Sequence, residues 1–233
     1  MSKKKRIAVN LLIFALLLMV FMTVEGAALT PEGALKKQER TRNYGHSEPI
    51  ALIEQGKHKF FLCKFRDHYS CPAVKRGFLG FWYESQAGCA WGDENKKEKA
   101  VNCSLTGERN KEEKLDTLYI YGIINDDRIT SLDIEIFIEN SQGERIIKKT
   151  TAVRPEQAGA VGKKSEKEQK VGAEKVIIGE AGGMGKISQV GETGVIYQDM
   201  FFAVINEPGM SNYYCHKLSA FDQDGNLIFE EER

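Results

Sequence analysis

The class of fold follows from a stretch near the middle of the chain, LDIEIFIE at residues 132–139. Its even-numbered residues are Leu or Ile, and all but one of its odd-numbered residues are Asp or Glu. This period of two predicts a half-buried strand of an antiparallel sheet, with one face in water. The next four residues, Asn140-Ser141-Gln142-Gly143, predict a hairpin turn, after which residues 144–153 form the partner strand.

Segments on both sides of this hairpin also have the composition of strands. Residues 115–124 are largely apolar, which predicts a strand that is buried on both faces. The remaining predicted strands cover residues 50–54, 57–66, 77–84, 175–179, 194–206, 212–221 and 226–230. A parallel α/β fold would need crossover helices, and none is predicted after residue 43. The sequence therefore predicts a mainly β protein, with an antiparallel, immunoglobulin-like β-sandwich in its C-terminal half.

The chain begins with four basic residues followed by an apolar segment, and this pattern determines the compartment in which the rest of the chain folds. Residues 3–6 are KKKR, and the following 18 residues, 7–24, are apolar except for Asn10 and Thr23. This length lies between that of a signal peptide and that of a membrane span. Residues 1–29 are therefore predicted to be an uncleaved signal anchor, or a signal peptide that is cut after Ala28. Because the cations stay inside, the rest is predicted to lie outside the cell membrane as a single-pass protein, or to be secreted.

Three segments follow this leader. Thr30-Pro31-Glu32 is a helix-start signal that predicts a short stalk helix over residues 30–43. Residues 44–113 are predicted to form a small β region rich in cysteine and aromatic residues, ending in a long polar loop from residue 85. Residues 114–233 are predicted to form the β-sandwich domain. Within it, residues 155–175 are mostly Lys, Glu, Gln, Gly and Ala, which predicts a flexible excursion.

The five cysteines can form disulfides if the chain is exported, because disulfides persist outside the cytoplasm. We predict one disulfide between Cys63 and Cys71 and another between Cys89 and Cys103, with Cys215 left over. Pairing cannot be derived from spacing alone, and the number is odd. Buried thiols are therefore the alternative to disulfides.

Charge and glycine patterns argue against nucleic-acid and nucleotide partners. Lys+Arg and Asp+Glu each number 33, whereas a nucleic-acid-binding domain is usually basic. Residues 179–186 are rich in glycine, but five residues separate Gly179 from Gly185 and Ile187 follows the lysine, which departs from a phosphate loop. Residues 222–226, DQDGN, resemble part of a calcium loop and are interpreted as a hairpin turn.

The remaining candidates for chemistry are cysteines and histidines. Cys63, His68 and Cys71 lie close together in the sequence but lack the spacing of zinc ligands. Cys215 and His216 cannot form a catalytic dyad, because neighbouring residues of a strand point to opposite faces. We therefore predict no metal, no cofactor and no catalytic residue.

Aromatic residues gather in one part of the chain. Trp82, Tyr83 and Trp91 are predicted to form a binding surface, because aromatic rings offer large contact areas. A cell-envelope protein or glycan is the partner that the predicted location favours. The alternative is that these rings pack into the core.

Three segments resemble parts of a group of exported proteins. YGIIN at residues 121–125, Phe201-Phe202, and AFDQDGNLI at residues 220–228 resemble uncharacterised exported or membrane-anchored β-domain proteins of Gram-positive bacteria. The resemblance covers residues 115–230 and implies export and a β-sandwich. It implies no activity, because a fold does not define a function.

These observations favour a noncatalytic protein outside the cytoplasm, with a role in binding, sensing or interaction with the cell envelope. One alternative is an extracytoplasmic hydrolase or thiol enzyme that uses Cys215 or an Asp/His pair assembled by the fold. The other is a regulatory subunit of a membrane complex, in which the leader packs against other spans.

Overall fold

The computed structural model describes residues 2–24, 26–42, 45–110, 115–140, 142–154, 167–171, 174–181, 184–188 and 194–232. Two helices, α1 (Lys3–Val24) and α2 (Pro31–Thr41), precede the strands. The strands are β1 (Glu48–Gln55), β2 (His58–Phe65), β3 (His68–Arg76), β4 (Trp82–Glu94), β5 (Val101–Asn110), β6 (Leu115–Ile124), β7 (Ser131–Asn140), β8 (Arg145–Val153), β9 (Lys167–Val171), β10 (Glu174–Ala181), β11 (Met184–Ser188), β12 (Gly194–Tyr197), β13 (Met200–Glu207), β14 (Met210–Phe221) and β15 (Leu227–Glu232).

Helix α1 is apolar on all sides and projects from the body of the protein. None of its Lys3–Met22 segment is buried, and among the described residues it is the one helix long and apolar enough to cross a membrane. Its 22 residues rise about 33 Å, close to the roughly 30 Å thickness of a bilayer core. A signal sequence has the same properties, so both expectations for the leader are compatible with this helix.

The shorter helix α2 lies on the first of two sheets. Thr30 caps it, because its side-chain oxygen accepts a hydrogen bond from the Gly33 N–H at 3.0 Å. Helix α2 therefore begins where the sequence predicts. Its Leu35 packs with Phe61 and Val74 of the sheet, in a cluster that we call the α2 core.

Sheet A has the strand order β4-β3-β2-β1-β11-β10-β9. The pair β1–β11 is parallel and the other pairs are antiparallel. Strand β11 comes from the C-terminal half of the chain, so sheet A contains strands from both sides of the predicted boundary near residue 113.

Sheet B has the order β15-β14-β7-β8-β12-β13-β6-β5 and curls back on itself. Strand β5 at one edge approaches β14, which lies next to the other edge strand, since the Arg109 guanidinium of β5 donates to the Met210 carbonyl of β14 at 2.8 Å. The curled sheet encloses an apolar cluster, the sheet B core, to which Ile120, Ile136 and Phe201 belong. The outer side of β6 and β13 faces sheet A.

The interface between the two sheets is a second apolar layer, the intersheet core. The Phe60 ring of β2 lies 4.4 Å from the Tyr119 ring and 5.1 Å from the Phe202 ring, measured between centroids. In β6, Tyr119 and Tyr121 face sheet A while Leu118 and Ile120 face the sheet B core. Strand β6 is therefore buried on both faces, as its sequence predicts.

The prediction of a mainly β protein with an N-terminal apolar helix is confirmed. The alternating stretch forms β7, with its Leu and Ile side chains buried. An immunoglobulin-like sandwich is not confirmed, because sheet B closes around its own core and contains the parallel pair β8–β12.

Two further expectations differ from the structure. The predicted polar loop after residue 85 was wrong, since β4 and β5 occupy most of it, and β5 pairs with β6 along its whole length. The predicted flexible excursion lies outside the described residues at 155–166 and 172–173, and its remainder falls within strands β9 and β10.

Candidate functional site

A polar cleft lies where β4 passes into β5. Three asparagine side chains shape the connection, with Asn102 Nδ2 donating to Asn95 Oδ1 at 2.9 Å and Asn125 Nδ2 donating to the same oxygen at 2.9 Å. The Asn125 amide also donates to the Lys99 carbonyl at 2.9 Å. These bonds tie the connection to the start of β5 and to the end of β6, so the cleft has a fixed wall.

The cleft has a volume of about 300 Å³ and a polar lining. Its lining residues are Tyr69, Asp93, Glu94, Lys96, Lys99, Asn102, Cys103 and Ser104. At its base, the hydroxyls of Tyr69 and Ser104 lie 2.9 Å apart, and the Tyr121 hydroxyl donates to Asp93 Oδ2 at 3.0 Å. Burial, the largest cause, and the Asp93 charge raise the pKa of Tyr121 above its usual value, so this hydroxyl stays a donor.

The cleft offers charges of both signs. Asp93 and Glu94 bring carboxylates, Lys96 and Lys99 bring ammonium groups, and Lys99 Nζ lies 2.7 Å from Glu231 Oε1. Hydroxyls and amides beside these charges can each donate and accept hydrogen bonds. This combination suits a polar ligand that carries both donors and acceptors, such as a glycan or a peptide segment.

The predicted aromatic surface is divided by the structure. Trp82 packs against the α2 core, with Lys59 Nζ 5.0 Å from the centroid of its ring. Tyr83 covers Gly77, where a Cβ would lie 2.7 Å from the tyrosine ring. The Trp91 side chain is outside the described part of the chain, although its backbone lies in β4 two residues before Asp93. A binding role for these three residues stays a prediction.

A row of buried polar side chains connects three strands between the sheets. Ser85 Oγ lies 3.0 Å from His58 Nδ1, and His58 Nε2 lies 2.9 Å from Glu108 Oε2, although outside normal hydrogen-bond geometry. The residue types are those of a hydrolase triad, but Ser85 is 2% exposed and His58 is 4% exposed. Ser85 is therefore shielded from solvent, unlike the serine of a hydrolase, and its hydroxyl is partnered by His58 Nδ1 and by the Ala87 N–H at 3.2 Å.

The cysteines do not form the predicted disulfides. The described residues include all five, and no disulfide joins any of them. Cys63 belongs to the α2 core and Cys71 to the intersheet core, so the predicted Cys63–Cys71 bond would have to cross sheet A. Cys103 faces the sheet B core, whereas Cys89 packs against the intersheet core. The residue directly opposite Cys71 is Cys89, on the neighbouring strand β4.

The buried thiols Cys63 and Cys71 differ in their chemistry from a catalytic cysteine. Burial raises the pKa of Cys63 to about 12 and raises that of Cys71 well above its usual value. Both therefore stay protonated at neutral pH, whereas a nucleophilic cysteine has a lowered pKa. Cys215 is buried in the sheet B core, which also differs from the exposed site that such an enzyme needs.

The two loop-like motifs have structural surroundings of their own. Residues 182 and 183 of the glycine-rich segment lie outside the described residues, and its flanks form the hairpin β10–β11. In the DQDGN segment, Asp222 Oδ1 accepts from the N–H groups of Asp224 and Asn226 at 2.9 and 2.8 Å. The Asn226 side-chain amide, which donates to Asp222 Oδ2 at 3.0 Å, and these backbone N–H groups lower the pKa of Asp222. Together they make this segment the hairpin turn that the sequence predicts.

Comparison with protein-family models, with curated proteins and with solved structures gives no match. The resemblance to exported proteins of Gram-positive bacteria therefore stays a hypothesis. What can be proposed about function depends on helix α1, on the polar cleft and on how the fold arranges them.

Proposed function

We propose that this chain is a membrane-tethered binding protein whose polar cleft captures a component of the cell envelope, either a glycan or a protein. Helix α1 is the anchor, the N-terminus lies inside, and the β body faces the exterior. If a peptidase removes the leader, the same body acts as a secreted binding protein. The role is noncatalytic.

The separation of anchor and cleft supports this proposal. The first residue of β4, Trp82, pairs with Ala28 at the end of the leader, and each backbone N–H donates to the other carbonyl at 2.8 Å. The last residues of β4, Asp93 and Glu94, line the cleft. Strand β3 pairs with β4 from Arg76 to His68, so the two ends of β4 lie about 25–30 Å apart.

This geometry is what a tethered receptor requires. One strand carries the attachment to the anchor at one end and the polar cleft at the other, and its pairing with β3 keeps the two apart. On this proposal the cleft is the part of β4 far from the anchor, where envelope glycans and proteins are encountered. By contrast, a site for a lipid substrate would be expected at the anchored end of β4, near Trp82.

Photocrosslinking in the native host tests the proposal. A photoreactive amino acid replaces Glu94 or Lys96, which line the cleft, and in the control chain it replaces Glu98, an exposed residue of the same connection outside the lining. We expect crosslinks to one envelope component from positions 94 and 96 and much weaker crosslinks from position 98. Equal labelling at all three positions, or no crosslink at all, would contradict a binding role of the cleft.

A charge-removing variant extends the test. Replacing both Glu94→Gln and Lys96→Gln should weaken capture of the crosslinked component roughly threefold to tenfold, as expected for two exposed ionic contacts. Neither side chain is buried, so the fold should persist, which circular dichroism can confirm. Glu98→Gln is the matched control and should leave capture unchanged.

A further inference from the structure

The body of the protein is held directly against the end of α1. The Phe21 ring in the last turn of α1 lies 6.3 Å from the Phe81 ring, between centroids. Lys37 Nζ of α2 donates to the Met22 carbonyl at 3.0 Å, and Ala28 is fixed to Trp82 by the paired bonds described above. These contacts leave little freedom between the apolar helix and the body.

The most exposed apolar side chains of the body gather at this junction. Outside α1, Leu29 at 70% and Leu79 at 69% have the largest exposed fractions among the large hydrophobic side chains that the structure describes. Leu29 follows Ala28 directly, and Leu79 lies three residues before Trp82. Both leucines therefore lie close to the bridge that joins the leader to β4.

Leu79 is also in an unfavourable backbone conformation. It lies in a single 3₁₀ turn, Phe78–Gly80, with φ 55° and ψ 17°. This left-handed region favours Gly, Asn and Asp over a leucine. The turn is closed by the Gly77 N–H, which donates to the Phe81 carbonyl at 2.8 Å, and it presents Leu79 outward. Neither core packing nor backbone preference explains a leucine here.

We propose that the Leu79 turn and Leu29 insert into the surface of the same bilayer that α1 spans, on the side where the body lies. The continuity of these side chains with the end of an apolar helix identifies lipid as their partner. Arg76 supports this, because its guanidinium stands about 3.2 Å from where a Cβ on Gly80 would lie. A cation beside an inserted apolar side chain can bind lipid phosphate while its stem stays in the apolar layer.

The proposal rests on the proposed anchoring of α1, and one experiment separates the two. The full chain, with labelled leucine methyl groups, is placed in nanodiscs of phosphatidylcholine and phosphatidylglycerol. Some of the phosphatidylcholine carries a nitroxide near its headgroup, which broadens the NMR signals of nearby methyl groups. Excess empty discs ensure one chain per disc.

We expect the methyl signals of α1, Leu79 and Leu29 to broaden. Leu227, which is 54% exposed and lies in β15, is the control. The broadening at Leu79 and Leu29 should exceed that at Leu227 roughly threefold or more. If α1 broadens while Leu79 and Leu29 match Leu227, the body does not touch the bilayer and the proposal is wrong. If α1 itself does not broaden, the anchoring fails and this proposal fails with it.

A substitution tests the same contact without disturbing the fold. Leu79→Asn suits the left-handed backbone, so the melting temperature should not fall, but it removes the apolar contact. We expect Leu79→Asn to reduce the broadening at Leu29, whereas Leu227→Asn should leave it unchanged. A water-soluble paramagnetic agent is added to discs that hold several chains and to discs that hold one chain. If Leu79 is protected from this agent only in the discs that hold several chains, its partner is a second copy of the chain and the proposal is wrong.

Discussion

His58 lies in a buried position, with charged groups on several sides. Burial lowers its pKa below the usual value. The Glu108 carboxylate opposes this shift, and Lys57 and Lys75 add to it. A histidine whose pKa is lowered by folding takes up protons more readily when the chain is unfolded, so stability is lost as pH falls below about 6.5.

The prediction for His58 concerns the pH dependence of stability. From His58 we expect a slope of up to about 1.4 kcal/mol per pH unit in the free energy of unfolding below pH 6.5. His58→Gln should flatten this slope in urea titrations at several pH values. His68→Gln, at an exposed site, is the control and should preserve it. An unchanged slope in His58→Gln would show that other groups cause the acid sensitivity.

Cys71 and Cys89 are the pair for which a disulfide is geometrically available. Directly opposite residues of antiparallel strands have Cα atoms about 4.5–5.5 Å apart, within the range that a disulfide requires. Under oxidising conditions we therefore expect Cys71–Cys89 to form, with a gain of about 3 kcal/mol in stability from a loop of this size.

Peptide mapping before and after reduction checks this pairing. Cys89→Ser should abolish the gain in stability on oxidation, and Cys63→Ser should leave it intact. Recovery of Cys63–Cys71 or Cys89–Cys103 peptides instead would show that the strands rearrange on oxidation.

Strands differ in how clearly their sequence pattern predicts them. Strand β6 is largely apolar and β7 alternates, and both lie where these patterns predict. Strand β4 was predicted only at its start, within residues 77–84, because further along its inward side chains include Ser85 and Ala87, which are small, and its exposed side chains are polar. Strand β3 was not predicted at all. The burial of this part of β4 depends on its pairing with β3, which its own residue types do not show.

The candidate site could not be predicted from the sequence for a related reason. Asn95, Asn102 and Asn125 come together because β5 pairs with β6. This pairing could not be predicted from the polar residue types themselves. His58, Ser85 and Glu108 come from three separate strands. Sequence distance hides such contacts, whereas the hairpin turn at Asp222 is local and was predicted.

Gly88 shows how closely β4 packs on β3. A Cβ at this position would lie 2.3 Å from the Ala73 nitrogen and 2.5 Å from the Cys71 oxygen, both of them backbone atoms. We expect Gly88→Ala to cost about 1–3 kcal/mol of stability, because the two strands must separate to admit the methyl group. Chemical denaturation measures this cost.

Gly33→Ala provides the comparison for Gly88→Ala. Its added methyl group would meet side-chain atoms at 3.2 Å and 3.3 Å, and alanine favours the helical conformation of α2. We expect an effect between none and a gain of about 1 kcal/mol. A similar loss in both variants would mean that close packing at Gly88 is not the cause.

The chain crosses between the two sheets repeatedly, so we expect them to unfold together. Strand β11 joins sheet A from the C-terminal half, and Phe60 of sheet A packs between Tyr119 and Phe202 of sheet B. A change in the intersheet core should therefore affect both sheets at once. The division into a β region at residues 44–113 and a domain at residues 114–233 stays a prediction, which such coupling would contradict.

Phe60→Ala tests this coupling at the scale of the whole molecule. Phe60 is fully buried, and its truncation should cost about 3–5 kcal/mol. Hydrogen exchange in urea should show amides of both sheets losing protection in one transition, shifted equally. Phe137→Ala is the matched control, because Phe137 stacks on Tyr214 on the outer side of sheet B, 4.8 Å between centroids. Its cost should be smaller, since the intersheet core is untouched. Two separate transitions in Phe60→Ala would mean that each sheet is stable alone and that the intersheet core only docks them.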